Sequence, residues 1–272
     1  MTVLSRSDIP AARRVVVKVG SSSISGDNAG QIEPLVTALA EMHGRGTEVI
    51  LVSSGAIATG MPYLKLDERP DDLATQQAAA AVGQNVLIYR YQDSLDRYDI
   101  VAGQVLLTAG DLEHPTPRSN AKRALHRLLG LRILPIINEN DTVATHEIRF
   151  GDNDRLASLV TQLVGADLLV LLSDVDALYT RPPLEPGAER IARVPYGDAL
   201  QGVKIGSVGT GLGTGGATTK VAAARLATAA GAAVLLAATP QVGEALAGGH
   251  VGTFFDAAPA VAPVSSPVSS SV

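Results

Sequence analysis

Five stretches of this sequence gather small or polar residues, four of them with charge, in a way that suits the chemistry of anions. Val17-Lys18-Val19-Gly20-Ser21-Ser22-Ser23 carries an apolar run into a lysine and then a loop of small hydroxyl residues. Backbone N–H groups in such a loop can form a nest for an anion, and a lysine beside it adds charge. The plain alternative is a strand-ending turn with a snorkelling lysine. It is not a GxxxxGK[ST] phosphate loop, because the lysine precedes the glycine. Ser53-Ser54-Gly55-Ala56-Ile57-Ala58-Thr59-Gly60 repeats the small-residue loop, without a lysine, after a second apolar run. There Gly55 permits close approach of a ligand and Ser54 offers a hydroxyl.

The densest polar stretch is Asn138-Glu139-Asn140-Asp141, followed by Phe150-Gly151-Asp152-Asn153-Asp154-Arg155. A helix cap would account for Asp152 or Asn153 and leave the other residues unexplained. Hard oxygen donors of this kind suit Mg²⁺ better than zinc. A further apolar run ends in Leu172-Ser173-Asp174-Val175-Asp176. Finally, Gly209-Thr210-Gly211-Leu212-Gly213-Thr214-Gly215-Gly216-Ala217-Thr218-Thr219-Lys220 opens a helical pattern. A glycine-rich loop feeding a helix N-terminus, with hydroxyls and a lysine in the first turn, suits a phosphate; the alternative is a mobile linker.

These residues need a scaffold, and the apolar pattern supplies one. Val15–Val19, Val49–Val52, Val101–Leu107, Ile133–Ile137, Leu168–Leu172 and Val234–Leu236 read as strands buried on both faces of a parallel sheet. Helical segments are expected over 31–43, 73–94, 119–129, 153–164 and 218–230, as in the spacing of Leu35, Ala38, Leu39 and Met42. Alternation of this kind predicts right-handed βαβ units and a three-layer α/β/α sandwich around an open, mostly parallel sheet. Ligands of such sheets bind beyond the carboxyl ends of the strands, where the polar stretches fall. Residues 174–217 read as hairpins and loops over the sheet. The expected domain is 1–255, with a disordered Pro/Ser-rich tail over 256–272.

Composition narrows the function further. With 22 basic against 27 acidic residues the net charge is −5, so no basic surplus is present for nucleic acid. There is no cysteine, which excludes disulfides, thiol nucleophiles and zinc ribbons. Neither a secretory leader nor a membrane-length apolar run is visible, and a cytoplasmic setting is expected. The five histidines are scattered without partner spacing.

Taken in order, VVVKVGSSS, ILVSSGAIATG, LPIINENDTVAT, FGDNDRLASLV, LLSDVDALYT and GTGLGTGGATTK resemble the amino acid kinase family, in particular its glutamate-phosphorylating branch. The resemblance runs from residue 13 to about 255 and implies ATP-dependent phosphorylation of the L-glutamate side-chain carboxylate, with Mg²⁺. The family's catalytic lysines match Lys18 and Lys220, and its organising aspartate matches Asp154. Its glutamate-binding positions match Ser54, Asp141 and Asn153. Its ATP contacts match Lys18, Ser173, Asp174 and the run Thr214, Gly215, Gly216, Ala217, Thr218, Thr219 and Lys220. A homo-oligomer (dimer or tetramer) and feedback inhibition by proline are implied in the same way. Ser173 stands where threonine is common, Ala177 where glycine is, and Ala217 where methionine is frequent. The C-terminal RNA-binding-like PUA domain of many members is expected to be missing. Another small-acid kinase of the family, or a nucleotide-binding module without turnover, remains the alternative reading.

Overall fold

The computed structural model describes residues 2–143, 152–203 and 216–259. In chain order, β1 (Arg14–Val19), α1 (Ile32–Gly44) and β2 (Glu48–Val52) form the first βαβ unit. Next come α2 (Ala56–Gly60), α3 (Leu73–Asp96), β3 (Ala102–Leu107), α4 (Ala109–Glu113), α5 (Pro115–Gly130) and β4 (Leu134–Glu139). Then follow α6 (Asp152–Val164), β5 (Leu168–Ser173), β6 (Leu178–Tyr179), β7 (Arg190–Ile191) and β8 (Arg193–Val194). The chain closes with α7 (Ala217–Ala229), β9 (Ala233–Ala238), α8 (Val242–Leu246) and β10 (Thr253–Phe255).

Eight strands make one sheet in the order β3-β4-β2-β1-β5-β9-β10-β8. From β3 to β9 every pairing is parallel; β10 runs antiparallel to β9, and β8 parallel to β10. β6 and β7 form a separate two-stranded ribbon, which answers the hairpin expected between 174 and 217. Helices cover both faces, and strand side chains divide between them with period two. Val15, Val17, Val19, Leu51 and Val170 pack with α1, α3 and α8, whereas Val16, Ile50, Val52, Leu169 and Leu171 pack with α4 to α7. The three-layer sandwich expected from the sequence is therefore present.

Two expectations need correcting. β3 is not buried on both faces: it forms the sheet's edge, is mostly half-buried, and Val101 lies outside it and exposed. Strands at an edge lose one covering neighbour, which an apolar run does not reveal. The domain also continues past Phe255, since Asp256 N–H donates to Val194 O at 3.0 Å and Ala258 N–H to Thr228 O at 2.9 Å. The rest of the expected tail, 260–272, lies outside the described residues.

Local choices agree with this frame. The Asp72 side chain caps α3 by accepting from Thr75 N–H at 2.8 Å, and Thr108 with Asp111 forms a capping box on α4. A glycine pair sets the approach of α2 to α3. A Cβ on Gly83 would sit 1.8 Å from Ala56 O, and one on Gly60 1.9 Å from Ala79 O. Only hydrogen at both positions lets the backbones touch.

Candidate active site

The carboxyl ends of β1, β2, β4 and β5 meet the first turns of α6 and α7. On β1 the residues alternating with Val15, Val17 and Val19 face α6 and α7, and Lys18 is one of these. Its Nζ forms an ion pair with Asp154, 2.7 Å from Oδ1. From the other side Lys220 Nζ, on the first turns of α7, donates to Asp154 Oδ2 at 3.2 Å. Thr219 Oγ1 donates to the same oxygen at 3.0 Å. Asp154 is 1% exposed, so the carboxylate is held between two ammonium groups almost out of water. Ser158 steadies the arrangement, reaching Asp154 O at 3.0 Å and Ala223 O at 2.9 Å, which ties α6 to α7.

The electrostatics follow from this geometry. Burial alone would raise the Asp154 carboxyl, but the charges of Lys18 and Lys220 and the bonds from Lys18 and Thr219 outweigh it and bring it down to about 2. Burial, then the nearby Lys18 charge, lowers the Lys220 ammonium against the pull of Asp154. Two cations share the Asp154 carboxylate, and the Asp174 carboxylate also acts on Lys220.

The expected nucleotide-contact residues flank that cluster. Ser173 ends β5; its Oγ donates to Asp174 Oδ1 at 2.9 Å, and Thr239 Oγ1 donates to Ser173 O at 3.2 Å. Gly216 is the N-cap of α7, followed by Ala217, Thr218 and Thr219 with the N–H groups of the first turn. Such a helix end carries partial positive charge. Thr214 and Gly215 lie outside the described residues, as do the other glycines of 209–213.

On the opposite side of Lys18, β2 delivers Ser54, which is buried, into a turn that Gly55 makes possible with φ +86°. A Cβ on Gly55 would come within 3.3 Å of Ser21 Cα, so the two small-residue loops touch. Asp141 opens a single 3-10 turn after β4. Asn153 stands one residue before Asp154, and its Oδ1 is buried with no hydrogen-bond partner among the described residues. An orphan acceptor of that kind suits an incoming donor such as an ammonium group. Phe150 and Gly151 are outside the described residues.

Three contributions were missed by sequence reasoning: Ser158, Thr239, and the buried pair Gln84 and Tyr91 on α3. Gly83 beside Gln84 was the available signal, since a glycine inside a helix marks a close approach.

Comparison with known proteins bears on this geometry. The sequence profile of the amino acid kinase family matches residues 13–237. The chain belongs to the amino acid kinase family. Among its relatives in that family, the glutamate 5-kinase of Clavibacter michiganensis subsp. michiganensis is 76% identical over 255 residues, covering 94% of this chain and 98% of the relative. That of Leifsonia xyli subsp. xyli is 73% identical over 270 residues, 99% of this chain and 100% of its own. The Streptomyces coelicolor glutamate 5-kinase is 55% identical over 257 residues, which are 93% of this chain and 69% of that longer protein. A solved carbamate kinase from Giardia lamblia bound to AMP-PNP superposes with a TM-score of 0.66 at 16% identity, over 92% of this chain and 100% of its own. It shares the amino acid kinase fold seen here.

Proposed function

We propose that this chain transfers the γ-phosphoryl group of ATP to the side-chain carboxylate of L-glutamate, giving L-glutamyl 5-phosphate, the first step of proline synthesis. The observation that carries this reading is 73–76% identity, over nearly the whole chain, to relatives named glutamate 5-kinase. The geometry of the site supports it. A glutamate carboxylate is ionised at neutral pH, so the nucleophile needs no general base. The difficulty is bringing one anion against another while charge spreads over the transferring oxygens.

Lys18 and Lys220 are suited to relieve that charge from two sides, with Asp154 fixing their positions rather than moving a proton. Ser173, Asp174 and the first turn of α7 from Gly216 to Lys220 would contact ATP, with Thr214 and Gly215 as the matching residues of the preceding loop. Ser54, Asp141 and Asn153 would hold glutamate, the latter two at its α-ammonium and polar end. The Ser54–Gly60 turn would help keep water from the acyl phosphate. Among the described residues no group of three His, Asp or Glu side chains could hold a metal ion. Mg²⁺ would therefore enter with the ATP phosphates, keeping several waters and supplying positive charge there. No described helix is long and apolar enough to cross a membrane. The cytoplasm, where both substrates are available, is the proposed location. A homo-oligomer, dimer or tetramer, and inhibition by proline complete the proposal on the strength of the family resemblance.

The test is ADP release with ATP, Mg²⁺ and glutamate, with hydroxylamine present to trap the acyl phosphate as a hydroxamate. Glutamate-dependent ADP and hydroxamate in equal amounts are expected, with little from aspartate or N-acetylglutamate. ADP release indifferent to glutamate, with no hydroxamate, defeats the reading.

A further inference from the structure

The layer between α3 and the sheet contains polar groups that packing alone does not need. By strand alternation Ser53 points to the α3 face, where Tyr91 is fully buried. Ser53 Oγ reaches Ser54 O at 3.3 Å and lies 2.9 Å from the Tyr91 hydroxyl, a pair in which either oxygen can donate. Burial raises the Tyr91 ionisation well above its ordinary value, so the phenol keeps its proton. Two turns earlier on the same face, Gln84 Nε2 donates to Glu139 O at 3.3 Å, at the end of β4. Between them lies a cavity of about 10 Å³, lined in part by Ser53, Gln84, Tyr91, Gln104 and Asn138. Asn138 Nδ2 is buried there without a partner among the described residues, and the space has the size and polarity for one bridging water. Phenylalanine and alanine would fill positions 91 and 53 without two hydroxyls that must be paired when buried, so packing alone does not call for the network.

We propose that Tyr91 is a positioning residue for the amino acid substrate: through Ser53 it fixes the Ser54 carbonyl and the turn that leads into α2. α3 is suited to this task because Gly83 and Gly60 pin it against α2, the helix that follows Ser54 and Gly55. This inference rests on the reading of Ser54 as a glutamate-side residue.

Steady-state kinetics of Tyr91→Phe, Ser53→Ala and the double variant test it. Each is expected to raise the glutamate KM about threefold to tenfold, the double no more than either single, with kcat and the ATP KM within about twofold of wild type. Unchanged glutamate KM in both singles, multiplying effects in the double, or an equal rise in ATP KM overturns the proposal. Should Tyr91→Phe fail to fold, Ser53→Ala alone decides on the same criteria. A wild-type chain without glutamate-dependent hydroxamate instead sinks the functional reading, and this inference with it.

Discussion

The two sides of the site are built on different physics. On the side of α6 and α7 the groups are charged: Lys18 and Lys220 each place an ammonium within 3.2 Å of the Asp154 carboxylate, nearly out of water. On the side of α2 and α3 the groups that hold the turn are neutral, Ser53, Tyr91, Gln84 and Asn138, with backbone carbonyls as acceptors, and the Asp141 carboxylate stands in the 3-10 turn beside α3. The contrast fits the two substrates. Triphosphate brings several negative charges and would be met by two ammonium groups, whereas an amino acid is small and zwitterionic and would be met by hydroxyls, amides and the Asp141 carboxylate. It also teaches where each half is fragile. A charged cluster fails when its charges no longer balance; a hydrogen-bonded turn fails when its backbone shifts.

Removing the central charge gives the largest expected effect. Asp154→Asn leaves two buried ammonium groups facing each other, and a loss of about 3–5 kcal/mol is expected in thermal or urea unfolding without nucleotide. ATP, whose phosphates can replace the lost counter-charge, is expected to restore much of it; a melt unaffected by the substitution breaks the comparison. The sign of the pH dependence is set by the low carboxyl value. Because Asp154 titrates at about 2 in the fold against 3.8 ordinarily, its stabilisation is complete above about pH 4 and fades as pH falls through 2. The asparagine variant lacks that acid component.

Lys220→Ala comes next. A fall in kcat of about 10²–10³ is expected, as for loss of one donor to developing charge, with glutamate KM changed only a few-fold. The reverse split would reassign Lys220 to the amino acid side. On the neutral side, Gly83→Ala is a helix-interior change that ordinarily stabilises by up to about 1 kcal/mol. Here the added methyl meets Ala56 O, so a loss of about 1–3 kcal/mol and a raised glutamate KM are expected. A gain in stability would mean that α2 and α3 are not in contact through these glycines. The smallest effect is that of Asn153→Ala. It is expected to raise glutamate KM about tenfold with kcat little changed; an equal change in ATP KM would blur the division between halves.

Much of the scaffold was legible in residue patterns. The six long apolar runs are strands of the sheet and the five periodic segments are its long helices, with ends displaced by a few residues. α2, α4 and α8 span five residues each, too short to show a helical period, and they passed unseen. β10 was not expected either: three residues, Thr253–Phe255, are too few to show a strand pattern or its direction. At the site, polar residue types beside apolar runs exposed Lys18, Asp154 and Lys220, but not Tyr91, whose aromatic ring reads as ordinary core.

By itself the sequence determined which residues end strands, which open helices, and which strand residues share a face. Those properties follow from backbone geometry over a few residues: a period of two along a strand and 3.6 along a helix. Only the tertiary structure decided that Asp154 lies between Lys18 and Lys220, and that Ser53 meets Tyr91. Those meetings depend on which helix crosses to which face of the sheet and how closely two backbones approach. Such choices are settled by packing between segments far apart in the chain, and no local pattern carries them.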